Sequence, residues 1–320
     1  MARIISVGHI AQNIYVLDRT NFAATNIGEE AIFTKLVTGT TLDVEKITYE
    51  MGGSGLNTAI EFARHGHESI LFGNIAKDSA GAAALNLLNS ENVDTSYLNI
   101  VGKKTTGSTV ILLDSKNGKK ITLKNAGASD DFSDLDLSDL ELVQPDWLYV
   151  STVNGDMHLL LRLFEKAKSL GVKIMFNPGP KELAEEKKLV GLLEDVDILY
   201  VNKTEAAHIV PGAILAELLS HLKNYVNTVI ITDGQMGGIA ANDEEIYRFG
   251  IYEDVPAKDA TGSGDAFGSG FLAHLAAGKS FRTSLIYASA NATSNVLKIG
   301  TTKGLLTGSE PLHPMLIQKI

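Results

Sequence analysis

From about residue 145 the chain repeats one unit, a short apolar run followed by a helical stretch, and few folds accept that order. Asp146-Trp-Leu-Tyr-Val-Ser151 reads as a strand and leads into a helix over roughly 157–170. Val172-Lys-Ile-Met-Phe176, a helix over about 181–193, Val196-Asp-Ile-Leu-Tyr-Val201, a further helical stretch and Thr228-Val-Ile-Ile-Thr232 continue the series. Strands apolar on both faces and separated by helices predict a buried parallel sheet, an α/β fold. Ligands of such sheets collect beyond the carboxyl ends of the strands. Asn177, Asn202 and Thr232 stand at such ends, as does the loop Asp259–Asp265.

The first 125 residues depart from that pattern. Arg3-Ile-Ile-Ser-Val7 is core-like, but residues 14–51 carry short alternating segments such as Ile47-Thr-Tyr-Glu-Met51. A second strand-rich patch, about 105–125, holds Ser108–Asp114 and Lys120–Lys124, joined through the hairpin turn signal Asn117-Gly118. Two separated insertions of this kind predict one small sheet built from both, lying over the site as a lid. Residues 1–320 show no internal repeat and no low-complexity linker, and their length suits one large α/β domain.

Composition excludes several classes. With 38 acidic against 28 basic side chains the net charge is −10, and no basic stripe offers a nucleic-acid surface. The absence of cysteine removes disulfides, thiolate zinc sites and cysteine nucleophiles. Met-Ala-Arg-Ile-Ile-Ser-Val-Gly enters a strand at once without a signal-peptide pattern, and no apolar run approaches membrane-spanning length. The expectation is a soluble cytoplasmic protein with no membrane partner. No His-Glu-x-x-His or Gly-x-Ser-x-Gly spacing occurs, which removes metallohydrolase and serine hydrolase readings. Ala273–Ser280 ends like a P-loop, but it begins with Ala where Gly is needed and follows a helix rather than a strand.

The chemistry concentrates in Asp259-Ala-Thr-Gly-Ser-Gly-Asp265. The apolar spacing of Phe267, Phe271, Leu272 and Leu275 predicts a helix directly after it. A helix start presents unpaired N–H groups and the positive end of its dipole, and Gly262 and Gly264 let the backbone approach a ligand. Such a place holds an anion, above all a phosphate. Asp265 would repel a resting anion, yet suits a base that takes a proton from a hydroxyl while charge builds on a transferred group. The plainer reading is a capping Asp after a Gly turn.

Three further segments each admit two readings. Gly52-Gly53-Ser54-Gly55-Leu56-Asn57, before a helix Thr58–His65, lets a polyol touch backbone and the Asn57 amide, or is a flexible turn. Asn202-Lys-Thr-Glu205 either caps a helix or orders a water-rich Mg²⁺. Thr232-Asp-Gly234-Gln-Met-Gly237-Gly238 either lies along nucleotide phosphate or ribose, or closes a hairpin.

In this order the segments resemble the ribokinase-like carbohydrate kinases, the phosphofructokinase B family, along nearly the whole chain. The most specific parts are Gly52–Gly66 and Asp259–Phe267, with Asn202-x-x-Glu205 and Thr232-Asp-Gly234 between them. The resemblance implies a three-layer α/β/α core with a small β-sheet lid, and ATP-dependent phosphorylation of a hydroxyl on a small sugar. It makes Asp265 the general base, with an anion hole of backbone N–H groups across Gly262, Ser263 and Gly264. Asn202 and Glu205 would organise Mg²⁺ through water. Thr232, Gly234 and Gly237 would lie along ATP, and the helix Ala288-Ser-Ala-Asn291-Ala would border adenine, with Asn291 as a contact. Asp259 and the Thr261 carbonyl match the position of an activating monovalent cation such as K⁺. Substrate would touch Asn13, Gly52, Gly53, Ser54 and Asn57 beneath the lid, and the lid would make a homodimer contact.

Two departures bear on the acceptor. Sugar kinases of this family usually carry Asp where this chain has Asn13, and Asn177-Pro-Gly-Pro180 differs from the common Asp-Pro-Asn-type turn. An amide donates as well as accepts, so hydroxyl recognition is retuned and a nucleoside acceptor becomes an alternative. The reading from a different class is a non-catalytic sugar-binding protein on the same fold.

Overall fold

Neighbouring residues of the central strands enter different cores. Leu148, Val150, Ile174, Phe176, Leu199, Val201, Val229 and Ile231 belong to one buried cluster; Trp147, Tyr149, Met175, Ile198, Tyr200 and Ile230 belong to another. This period of two along a strand, with both faces apolar, requires a layer of helices on each side. The first cluster is closed by helices including Met157–Ser169, Glu186–Leu192 and Leu215–Leu222. The second is closed by Ser263–Ala276 and Phe281–Val296.

The computed structural model describes the backbone of residues 1–320 other than 23, 28, 29, 34, 35, 117, 133 and 134, and the same residues' side chains except at 24–27 and 30–33. Asn117, half of the expected hairpin signal, lies outside the described residues, as do parts of the 14–51 span. The large sheet runs in the order Ile317–Lys319, Ile246–Phe249, Gly238–Ala241, Thr228–Thr232, Ile198–Asn202, Lys173–Phe176, Trp147–Val150, Arg3–Val7, Glu68–Ala76, Leu98–Val101. From Thr228–Thr232 to Leu98–Val101 all neighbours are parallel, and the other three strands add antiparallel at one end. The helix expected over 181–193 is broken into Pro180–Leu183 and Glu186–Leu192. Near that break, the fully buried Glu182 carboxylate accepts the backbone N–H groups of Val153 (2.9 Å) and Gly155 (2.8 Å), which fixes the loop after strand Trp147–Val150.

Both strand-rich insertions contribute to a second sheet, Lys46–Gly52, Ala11–Asp18, Gly107–Asp114, Lys120–Asn125. Two adjacent rows of paired residues differ in character. Glu50, Asn13, Thr109 and Lys124 form a polar row, whereas Tyr49, Ile14, Val110 and Leu123, one residue along, form an apolar one. Among the described residues no helix is long and apolar enough to cross a membrane.

Candidate active site

Helix Ser263–Ala276 begins at Gly262, whose φ of 78° is left-handed and whose added Cβ would stand 2.9 Å from Thr301 Cβ. Only glycine makes that turn without strain. Ser263 is drawn back into it, its N–H (3.3 Å) and hydroxyl (3.0 Å) both donating to the Ala260 carbonyl. Gly262, Ser263, Gly264 and Asp265 line one end of a cavity of about 520 Å³. That size accommodates a nucleotide-sized ligand. The positive end of the helix dipole lies at the same place.

Asp265 is held from behind. Asn57 Nδ2 donates to its Oδ2 at 2.7 Å, and Thr301 Oγ1 donates to Asn57 Oδ1 at 2.7 Å. Burial pushes the Asp265 carboxyl up to about 6, against the Asn57 hydrogen bond, which favours the charged form. A carboxylate poised there is largely ionised at neutral pH and still a competent proton acceptor. The acid limb of kcat/KM is therefore expected near pH 6, with activity lost below it as Asp265 protonates. Asn57→Leu removes the bond that holds the value down and should move that limb upward. A pH–rate series on both proteins checks this, and an unmoved limb would detach Asn57 from the base.

The other end of the cavity is formed by Asn202, Glu205, Thr232, Gly234 and Gly237, with Ser289, Ala292, Thr293 and Val296 as one wall. Those four wall residues fall at i, i+3, i+4 and i+7, one face of their helix. Asn291 is on a different face. It is fully buried, its Nδ2 donating to the Ala266 carbonyl (2.8 Å) and its Oδ1 accepting the Leu306 N–H (2.8 Å). The adenine contact expected of Asn291 is thus corrected: its amide joins two helices and the chain beyond them, and does not line the cavity.

Asn202 and Glu205 form a reciprocal cap, Glu205 N–H to Asn202 Oδ1 (2.9 Å) and Asn202 N–H to Glu205 Oε2 (2.8 Å). The capping reading of this motif holds, and Glu205 still borders the cavity, where burial raises its carboxyl. No group of three or more His, Asp or Glu side chains gathers among the described residues as a ready-made metal cage. Glu205 is one of four carboxylates that line the cavity, with Glu253, Asp254 and Asp265, and a carboxylate so placed fits Mg²⁺ that keeps most of its waters and takes other ligands from phosphates.

The expected substrate residues lie beyond Asp265, outside that cavity. The helix carrying Asn57 starts earlier than its sequence suggested, at Ser54, after Gly53 with φ 99°. Gly52 lies against Asn13 and Thr301, an added Cβ standing 2.5 Å from Asn13 Nδ2 and 2.6 Å from Thr301 Oγ1. Ser54 Oγ accepts a hydrogen bond from Ser151 Oγ at 2.8 Å. His9, held neutral by burial and the Lys124 ammonium, has Nδ1 3.2 Å from Lys124 Nζ.

At Asp259 and Thr261 the structure departs from expectation. The Lys120 ammonium is 3.1 Å from Asp259 Oδ1 and also contacts Thr261 Oγ1, while the Thr261 carbonyl accepts from Asn295 Nδ2 at 3.1 Å. Asp259 Oδ1 and the Thr261 carbonyl, expected as ligands of a monovalent cation, thus already have partners, whereas Asp259 Oδ2 is buried without a hydrogen bond. Lys120, Lys124, Thr109 and Thr301 were missed in the sequence. Lys120 and Lys124 carried a signal, being two strand periods apart and so on one face; Thr301, after the last long helix, carried none.

The sequence pattern described as pfkB family carbohydrate kinase matches residues 11–307. The chain belongs to that family. Family membership makes it a phosphotransferase with an alcohol group as acceptor and ATP as donor. Similar proteins include a ribokinase of Haemophilus influenzae, 30% identical, with 86% of this chain and 90% of the relative covered. Among solved structures, the Burkholderia thailandensis nucleoside kinase in complex with inosine superposes with a TM-score of 0.78 at 20% identity, covering 96% of this chain and 95% of that one. Arabidopsis thaliana ribokinase complexed with ribose and ATP gives 0.76 at 21%, covering 95% of each. At those identities the superpositions establish the fold of a pfkB kinase.

Proposed function

We propose that this carbohydrate kinase transfers the γ-phosphoryl group of ATP to a hydroxyl of a small free sugar, with Asp265 as the base. The observation that carries the reading is the Thr301–Asn57–Asp265 relay at the start of helix Ser263–Ala276, beside a nucleotide-sized cavity. Asp265 takes the hydroxyl proton, the acceptor oxygen forms a bond to the γ-phosphorus, and the bond to the β-phosphate oxygen breaks to leave ADP. Phosphoryl transfer asks chiefly for positioning and charge stabilisation. The backbone around Gly262–Gly264 supplies donors to the transferring group, Thr232, Gly234 and Gly237 border the nucleotide, and Glu205 would hold Mg²⁺ through its waters, an ion that would neutralise charge on the phosphates. Asn13, Gly52, Gly53 and Ser54 face the acceptor under the small sheet, which acts as a lid over one kinase domain. A nucleoside is the second reading, favoured by the amide of Asn13 where an acidic residue is usual.

Acceptor-dependent ADP release, measured with Mg²⁺–ATP over pentoses, hexoses, phosphosugars and nucleosides, tests this. Turnover highest with a free sugar supports the first reading and turnover highest with a nucleoside the second. Sugar binding without acceptor-dependent turnover overturns both.

We also propose that the lid pairs two copies of the chain. Its outward rows Tyr49–Ile14–Val110–Leu123 and Ile47–Val16–Leu112–Ile121 are apolar, and Tyr49 is 64% and Leu123 57% exposed. Contiguous exposed apolar surface of this kind marks an interaction face. Tyr49→Glu is expected to shift the protein from dimer to monomer by light scattering; a parent that is already monomeric would sink the proposal.

A further inference from the structure

Asp259 lies three residues before the anion-hole glycine, and its side chain is fully buried. A buried carboxylate requires compensation in both charge and hydrogen bonds. Hydrogen bonds reach one of its oxygens, Oδ1, from Thr261, whose N–H donates at 2.9 Å and whose hydroxyl donates at 2.5 Å, while Oδ2 is left without one. The charge comes from Lys120, at the start of the outermost strand of the small sheet, 139 residues away in sequence. The hairpin that carries it is seated firmly: an added Cβ on Gly118 would stand 2.8 Å from the Ala257 carbonyl and 3.3 Å from that of Lys258. Lid and anion-hole loop therefore meet backbone to backbone immediately before Asp259.

We propose that the Lys120 ammonium is a tethered cation that serves Asp259 and Thr261 in place of a dissolved monovalent ion, so that the lid itself sets the anion-hole loop. Lys120 is a positioning residue, acting through Asp259 and Thr261 and touching neither nucleotide nor acceptor. A surface pair between long side chains would be worth little. This pair differs because one member is withdrawn from water and the other is delivered by a separate sheet. The ammonium can arrive only when the hairpin is seated, so the loop is complete only with the lid in place.

The turnover arm of the test rests on the kinase reading; the ion-binding and melting arms need no substrate. The parent enzyme is expected to turn over equally, and to melt at the same temperature, in potassium, sodium and choline chloride at matched ionic strength. Lys120→Met in choline should melt lower and turn over roughly 10–100-fold more slowly, the range that small misplacements of reacting groups produce. Potassium or ammonium should restore both, saturably. In crystals soaked with Tl⁺, an anomalous peak at Asp259 should be present in Lys120→Met and absent in the parent. A purely structural clasp would lose stability on substitution without rescue by an ion, and that outcome overturns the proposal. So does a parent that requires K⁺ or binds Tl⁺ at Asp259. If Lys120→Met does not fold, the double variant Lys120→Met/Asp259→Asn removes both charges; its recovery of a K⁺-insensitive fold supports the pairing, and failure to recover refutes it.

Discussion

Asp265→Asn is expected to leave a folded, ATP-binding protein whose turnover is lower by about 10²–10⁴-fold, the usual worth of a positioned general base. The amide is nearly isosteric and its oxygen can still accept from Asn57 Nδ2, so the Thr301–Asn57 relay survives. Stability should move the other way. The folded-state carboxyl is raised to about 6 from an ordinary 3.8, so the folded protein holds the proton more tightly than the unfolded chain. Stability is then lost as pH rises through that interval, and at neutral pH the ionised carboxylate is a net burden on the fold. The neutral amide lifts that burden, and Asp265→Asn should melt at or above the parent at pH 7 while matching it more closely near pH 4. Near-parental turnover would remove Asp265 from the reaction, and a clear fall in melting temperature would contradict the burial that raises its pKa.

Gly262→Val is the second large effect. The residue sits at φ 78°, where a β-branched side chain is strained by about 1–3 kcal/mol. Its Cβ would also press on Thr301, 2.9 Å from Cβ and 3.0 Å from Cγ2. Thr301 is the far end of the relay to Asp265, so the push reaches the base as well as the anion-hole backbone. We expect a lower melting temperature together with turnover reduced by roughly 10²–10³-fold, comparable with removing one oxyanion-hole donor. Steady-state kinetics with a melting curve checks both. Turnover unchanged in a folded Gly262→Val protein would place the transferred group elsewhere. If valine prevents folding, Gly262→Ala should show both losses in smaller degree.

The strands were legible because burial on both faces writes itself into composition: Arg3–Val7 and Thr228–Thr232 have the expected bounds, and Trp147–Val150 and Lys173–Phe176 lie within one residue of them at each end. The small sheet was legible through alternation and a turn signal. Its face toward the core was harder, because which of two alternating sets points inward depends on what the sheet packs against. That is why Lys120 and Lys124 passed unremarked although their spacing puts them together. Asn291 failed for a related reason: a helix rich in small residues offers no apolar stripe to orient it, and the cavity takes the face of Ser289, Ala292, Thr293 and Val296 instead. The sequence suggested Asn57 for the acceptor because an amide suits a hydroxyl; its bonds to Asp265 and Thr301, more than two hundred residues away in sequence, could not be read there. Contacts of that range leave no local trace.

The two faces of the small sheet have an evolutionary consequence. On the proposed reading, in which the Glu50–Asn13–Thr109–Lys124 row faces the acceptor, point substitutions there would change which acceptor is recognised without touching the Gly262–Asp265 turn, so acceptor choice would be free to drift while the transfer machinery stayed fixed. Insertion or deletion of a single residue within a strand is a different matter. With a side-chain period of two it would exchange the faces from that point on, turning the buried Tyr15, Leu17, Ile111 and Leu113 outward together with the polar row. Length variation among descendants of this chain should therefore accumulate in the turns between these strands, and come in steps of two when it enters the strands themselves.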